Sequence, residues 1–152
     1  MARVSAHAAA HGVELAVTRF TGKTATAADA AREIACTVAE IVKSLVFLAD
    51  GTPAVVLCSG ADRVDEAKLR GVLSAQVVRR ATADEAKSAT GFAIGGVAPF
   101  GHTSDLRVIV DDGLMVHERV WAAAGLPDAV FPISPADLVV LSRATREDVC
   151  VR

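Results

Sequence analysis

A lysine and a glycine-rich stretch carry most of the chemistry legible in this sequence. Lys43 stands between Ile41-Val42 and Leu45-Val46-Phe47-Leu48, an apolar frame that ordinarily excludes a charge. One reading is plain: a lysine near a strand end lays its stem along apolar surface and keeps the ammonium in water. The other is functional, a compact point charge that grips a phosphate or polarises a carbonyl. Ser44 adds a hydroxyl next to it. Adjacent strand residues point to opposite faces, which counts against a Ser44–Lys43 nucleophile pair. The second feature is the stretch Gly91-Phe92-Ala93-Ile94-Gly95-Gly96-Val97-Ala98-Pro99-Phe100-Gly101-His102, where glycines and a proline interrupt an otherwise apolar strand pattern. Glycine permits positive φ and close approach to the backbone. Gly95-Gly96 could therefore offer N–H groups to an anion or a developing oxyanion. The competing reading is a bulge followed by a tight turn at Pro99. The stretch is neither G-x-G-x-x-G nor a Walker loop, so dinucleotide and triphosphate readings lose their main support.

Other polar residues say less. His102 follows the glycines directly and could act as acid, base or donor; its plain role is a turn histidine satisfied by backbone. His7 and His11 share i,i+4 spacing, but no glutamate lies between them in the H-E-x-x-H manner, so an exposed helix face is the better reading. Asp137 sits three residues after Ser134, where helix-dipole and N–H contacts explain it without a pocket role. Trp121 is the only tryptophan, and a core role is its default.

The elements that must position these residues are mostly visible. Residues 2–11 are Ala-rich and helical in propensity, with Gly12 as the stop. Val13–Val17 alternates as a strand. Thr26 caps a helix reaching Cys36, and Thr37 with Glu40 forms a capping box for a short second one. Two apolar runs, 45–48 and 54–57, flank Asp50-Gly51 and predict a hairpin covered on both faces. Residues 65–73 read as an amphipathic helix and 76–78 as a short strand. Thr82 and Glu85 box the start of another helix that Gly91 ends. Residues 106–110 form a strand closed by Asp111-Asp112-Gly113. The pattern of 116–123 fits helix or strand. Ser134-Pro135 opens the last helix.

At 152 residues the chain predicts one domain, since one per roughly 100–200 residues is usual. Hydrophobic residues make up 52%, too many for a disordered chain. A net charge of −2 argues against a long electrostatic track along duplex nucleic acid, though not against a local grip on one or two phosphates. The scattered cysteines Cys36, Cys58 and Cys150 form no C-x-x-C pair and fit a reducing cytoplasm. No apolar run approaches the ~20 residues that span a bilayer, and the N-terminus has no signal core. No metal-ligand set is evident, and no cofactor is expected. Interleaved strands and helices with an internal hairpin indicate a mixed α/β or α+β domain.

The lysine in its frame, Ile41 to Phe47, followed by the loop Gly91 to His102, resembles the YbaK/ProX family of aminoacyl-tRNA deacylases. These are similar to the editing insertion domain of bacterial prolyl-tRNA synthetases. The tail Trp121-Ala122-Ala123-Ala124-Gly125 and Phe131 through Leu138 fits as well, so the resemblance spans about residues 13–142. It implies a single YbaK-type domain over 1–152, a largely antiparallel sheet curled into a partial barrel with packed helices. It implies hydrolysis of the ester joining a wrong amino acid to the tRNA terminal adenosine, in the cytoplasm. By position Lys43 matches the family's critical lysine, Gly95, Gly96 and Gly101 match the loop bordering the ester, and Asp137 matches an acidic position near the pocket. Ser44 stands where members often carry Thr or Asn, a position bearing on substrate choice. Phe20, Pro99, Phe100 and His102 are expected to line the substrate site, Phe20, Phe47 and Phe100 being candidates for base stacking. The expected substrate is proline-specific tRNA carrying alanine, cysteine, serine or threonine. The expected partners are the acceptor end and a prolyl-tRNA synthetase, with no membrane or DNA. A non-catalytic module binding the tRNA end or a synthetase stays open as the alternative.

Overall fold

The computed structural model describes residues 1–20 and 26–152. At its centre lies a hairpin of β2 (Val42–Ala49) and β3 (Thr52–Ser59), paired from Val42↔Ser59 to Ala49↔Thr52. Asp50 and Gly51 turn it with φ of 48° and 85°, the two-residue geometry whose twist suits paired strands. The Asp50 carboxylate also accepts the N–H groups of Gln76 and Val77 at 3.1 and 2.9 Å. That bond delays the next strand. β4 is Val78–Arg80 rather than 76–78, and it pairs with β2. β5 (Arg107–Asp111) adds parallel to β3, and β8 (Thr145–Glu147) parallel to β5, giving the order β4-β2-β3-β5-β8. A second, antiparallel sheet runs β1-β7-β6, built from Thr18–Arg19, Ala129–Ile133 and Val120–Ala123. The domain is mixed α/β with mostly antiparallel pairing, and its two sheets do not close into a barrel.

Among the described residues, five α-helices cover the sheets: α1 (Ala2–Ala10), α2 (Ala27–Ile34), α3 (Glu66–Leu73), α4 (Ala83–Thr90) and α5 (Pro135–Ser142). The caps read from sequence are present. Thr26 accepts from the Asp29 N–H, Thr82 and Glu85 box α4, and Ser134 accepts from the Asp137 N–H with Pro135 in the first turn. Thr37 and Glu40 box a short 3-10 turn at Val38–Glu40.

By alternation β2 faces two of the three apolar clusters among the described residues, the third being Ala30, Ala31 and Ile41. Val42, Val46 and Leu48 face the main cluster, which also holds Phe100, Phe131, Leu138 and Leu141. Phe47 faces a smaller cluster with Val56, Leu69 and Ile109, roofed by α3. Two expectations fail. Residues 13–17 form no strand: Val13, Leu15 and Val17 pack on the main core, but ladder partners begin only at Thr18↔Val130. The alternation there records half-burial alone. Residues 91–102 form no strand either, and the ambiguous run resolves as β6.

Candidate functional site

A cavity of about 250 Å³ opens between the start of β2, the face of α2, the glycine loop and the three-stranded sheet. Its wall includes Ile41 to Val46 of the β2 segment, Ala27 and Ala30 of α2, Ile94, Gly95 and Val97 of the loop, and Phe20, Trp121, Ala123, Pro127 and Val130. The wall is mainly apolar, and its polar side chains are few. A pocket below the roughly 300–1,000 Å³ of drug-sized sites suits a small group.

Lys43 and Ser44 both stand on this wall, as neighbours on alternate faces of β2. Ser44 is paired with Leu57, whose side chain belongs to the main core. Lys43 is paired with Cys58. Its Nζ donates to the carbonyl oxygen of Asp62, which does not line the cavity. An ammonium carries three donors, so this bond leaves two directions. Near the same end of the sheet lie Cys58 and Cys150, both buried, with the buried carboxylate of Asp111. The Cys150 thiol donating to Cys58 holds Cys58 below its ordinary value against burial, and the charge of Lys43 adds to this. Cys58 and burial together push Cys150 up. Donor atoms of Asp62, Asp111 and Cys150 lie within 4.8 Å of one another, the spacing a cation would need. Arg152 already serves those carboxylates, at 2.8 Å from Asp111 and 3.8 Å from Asp62.

The glycine loop is a folded turn sequence fastened at both ends. Arg3 of α1 donates from Nε to the Gly101 carbonyl at 3.2 Å and from Nη2 to the Gly91 carbonyl at 3.1 Å. Its guanidinium lies 4.7 Å from the centre of the Phe92 ring. Gly95 has φ of +90°, and a Cβ there would meet only Pro127, at 3.8 Å. Gly96 packs flush on the neighbouring turn, where a Cβ would come within 2.9 Å of the Leu126 backbone. The Gly96 N–H closes a bond to the Ala93 carbonyl at 3.0 Å. The pair of N–H donors expected at Gly95 and Gly96 is thus reduced: among the described residues the Gly95 N–H takes no acceptor, while Gly96 is engaged.

The structure gathers Phe20, Lys43, Ser44 and Gly95 around one cavity and places the other expected residues elsewhere. Pro99 is buried, outside the lining. Phe100 is a core residue, stacked on His7 at 5.1 Å and tilted against Phe131 at 5.7 Å. Phe47 is buried in the smaller cluster. Gly101 abuts α1, where a Cβ would stand 3.0 Å from the Arg3 carbonyl oxygen. His102 donates from Nε2 to the Ala98 carbonyl at 2.8 Å, and burial pushes its pKa down. It fastens the loop as a turn histidine. Phe100, Gly101 and His102 border a separate cavity of about 380 Å³ with Leu141 and Arg143. Asp137 is exposed in the first turn of α5 and lines neither cavity. His7 and His11 direct ring nitrogens to the Leu141 and His7 carbonyls. Trp121 keeps its expected core role, packed against Ala30, Ala31 and Ile41, and it also lines the cavity, which no spacing signal marked.

Comparison with known proteins agrees with this architecture. The family model described as the aminoacyl-tRNA editing domain matches residues 21–141. An uncharacterized protein of Bacillus subtilis, YwhH, is 31% identical over 123 residues, covering 80% of this chain and 78% of that protein. The proline–tRNA ligase of Levilactobacillus brevis is 35% identical over 86 residues, which cover 55% of this chain but 15% of the ligase. Among solved structures, a "putative trans-editing enzyme for prolyl tRNA synthetase" superposes with a TM-score of 0.93 at 36% identity, covering 99% of this chain and 96% of that one. Among the described residues, no helix is long and apolar enough to cross a membrane.

Proposed function

This chain belongs to the aminoacyl-tRNA editing domain family, and from that premise we propose that it hydrolyses the ester of mischarged tRNA, acting in trans on proline-specific tRNA that carries a small wrong amino acid. The observation that carries the reading is the single small cavity shared by Lys43, Ser44, Gly95 and Phe20. An aminoacyl ester is already activated, so positioning and charge stabilisation suffice and no side-chain nucleophile is required.

In this mechanism the Lys43 ammonium keeps the Asp62 carbonyl as one partner. Its remaining N–H directions hold phosphate or ribose oxygens of the acceptor end. The acyl group enters the apolar cavity. Water adds to the acyl carbon, and the Gly95 N–H donates to the oxyanion that forms. The C–O ester bond then breaks, the terminal ribose oxygen leaves and takes a proton, and the free amino acid departs. The adjacent ribose hydroxyl of the substrate relays the proton. Ser44 and Gly95 set the size and polarity of the acyl site. Pro99, Phe100, Gly101 and His102 act indirectly by holding the loop, and Asp137 by placing a negative charge in the first turn of α5, beneath the Ser134 cap.

The test is hydrolysis of proline-specific tRNA charged separately with alanine, serine, cysteine, threonine and proline. Selective release of one small wrong amino acid supports the reading. Lys43→Ala, folded by circular dichroism, is expected to lose roughly tenfold to a hundredfold in kcat/KM, since hydrogen bonds to charged groups are worth about 1.5–3 kcal/mol. Full activity with unchanged affinity in Lys43→Ala would falsify the role given to the lysine. No hydrolysis of any charged tRNA moves the assignment to a tRNA-end binding module.

A further inference from the structure

The cavity lies against a strand edge rather than a strand face. Six consecutive residues, Ile41 to Val46, stand on its wall. Neighbouring side chains of a strand point to opposite faces, so such a run meets one cavity only along the backbone itself. The two-residue turn at Asp50-Gly51 makes Ala49 and Thr52 a hydrogen-bonded pair, and bonded and non-bonded pairs then alternate along the antiparallel ladder. Lys43, Leu45 and Phe47 therefore direct N–H and C=O toward β3, while Val42, Ser44, Val46 and Leu48 direct theirs to the opposite edge. Two bonds agree with this phase. The Gly60 N–H reaches the Ile41 carbonyl at 2.7 Å on the β3 side, and the Ala81 N–H reaches the Val46 carbonyl at 2.9 Å on the other. Along that outer edge β4 pairs only from Phe47 to Ala49, and β6 meets the strand only at the bridge of Trp121 to Ile41. Among the described residues, no strand pairs with Ser44 there. The cavity fills the gap: Arg80 and Ala81 line one end, Trp121 and Ala123 the other.

An unpaired strand edge presents backbone donors and acceptors in a fixed order to whatever lies beside it. Among the described residues the wall carries no carboxylate, and its charged side chains are the cations Lys43 and Arg80. An α-aminoacyl ester nevertheless brings an α-amino group into this space, and a neutral oxygen has to receive it. We infer that the open β2 edge is the recognition site for that group, the α-amino nitrogen donating to the outward carbonyl oxygen of Ser44. The inference rests on the proposed function, because it takes its ligand from that reading. The edge grips atoms that every aminoacyl group shares and leaves the side chain to be sorted by the apolar wall. A main-chain acceptor also leaves no mark in the sequence, since any residue type supplies it.

The test compares two ligands that differ only in the amino group: the non-hydrolysable amide analogue of 3′-alanyl-adenosine and its 3′-propionyl counterpart. Hydrogen bonds to charged groups are worth about 1.5–3 kcal/mol, so calorimetry should show the alanyl analogue binding roughly tenfold to a hundredfold more tightly. The acceptor is located by labelling. Ser-Leu occurs once in the chain, at 44–45, so carbonyl-13C serine with 15N leucine isolates the Ser44 carbonyl in one NMR correlation. That carbonyl should shift with the alanyl analogue and stay in place with the propionyl one. In the free protein the Ser44 amide should exchange faster than those of Lys43 and Leu45, which bond to β3. Equal affinity for the two analogues overturns the inference and leaves the proposed function intact. So does an amino-dependent affinity with an unmoved Ser44 carbonyl, which places the acceptor elsewhere. A Ser44 amide as protected as that of Leu45 shows the edge to be closed and also overturns it. Failure of the protein to bind either analogue removes the ligand on which both readings rest.

Discussion

Gly95 and Gly96 are adjacent, yet different constraints keep a side chain out of each. At Gly96 the obstacle is packing: a Cβ would fall 2.9 Å from the Leu126 backbone, so the loop would have to lift off that turn. Gly96→Ala should cost about 1–3 kcal/mol, the usual range for overpacking, and lower the melting temperature. At Gly95 there is space, with Pro127 3.8 Å from the added carbon, but φ is +90°. Left-handed backbone costs a non-glycine residue about 1–2 kcal/mol. The methyl would also stand on the cavity wall. On the proposed deacylase reading, Gly95→Ala should therefore lower kcat/KM most for the largest ester hydrolysed, read across the alanine, serine and threonine series. A uniform loss would contradict the steric role. These glycines, with Lys43, were legible in sequence because glycine runs and framed charges are rare. Trp121 was not, since a lone aromatic carries no information about which side of it faces a cavity. Phe100, Gly101 and His102 parted from the cavity because the loop turns back through bonds such as Gly96 to Ala93, which sequence spacing does not encode.

Elements declared themselves where their ends carry chemistry. Thr26, Thr82 and Ser134 each cap the helix expected after them, and Asp50-Gly51 makes the expected turn. Elements defined only by their partners were missed. β8 is three residues long and exists through its parallel pairing with β5, and residues 13–17 alternate without a neighbouring strand. Two element-level predictions follow from contacts already described. Arg3 joins α1 to both ends of the glycine loop through Gly91 and Gly101. Arg3→Ala should speed amide exchange across residues 91–101 and lower kcat, while α4 and the hairpin stay as protected as before. Unchanged exchange in the loop would show that the clamp does not set its order. At the start of α4, Glu85 sits at a carboxyl pKa of about 2 against the ordinary 4.5, held first by Arg79 and then by the Thr82 N–H. Its folded value is depressed, so its contribution is complete above pH about 4.5 and is lost as pH falls toward 2. The stability gap between wild type and Glu85→Gln should therefore be constant near neutrality and close through that acid window. A gap that persists at pH 2 would mean the charge is irrelevant.

The whole molecule is organised about the two faces of its five-stranded sheet. One face packs the main core against the smaller sheet and carries Ser44 toward the cavity. On the other, a buried carboxylate at the end of β5 anchors the final residues, beside the Lys68 bonds to Asp148 and Cys150 and the Val151 N–H bond to the Arg63 carbonyl. Asp111 is completely buried. It accepts from the Val149 N–H, the Gly113 N–H and Arg152, at 2.9, 2.9 and 2.8 Å. Burial alone would raise its pKa, and these donors, led by Arg152, more than offset that and hold the carboxyl below its ordinary range. Taking one partner from a buried ion pair costs about 3–5 kcal/mol. Arg152 is 39% exposed, so solvent screening reduces this, and Arg152→Ala should destabilise the fold by about 1–2 kcal/mol at pH 7. The sign of the pH dependence is fixed by the lowered carboxyl. Its stabilisation is present above its ordinary value of 3.8 and disappears as pH falls through the folded value. Urea unfolding should show the variant weaker than wild type at pH 7, with the difference shrinking once Asp111 is protonated in both. Without the guanidinium the folded carboxyl titrates closer to its ordinary value, so acid unfolding of the variant should begin at higher pH. An identical acid midpoint in the two proteins would show that the backbone donors from Val149 and Gly113 alone hold Asp111 ionised, with Arg152 contributing only surface charge.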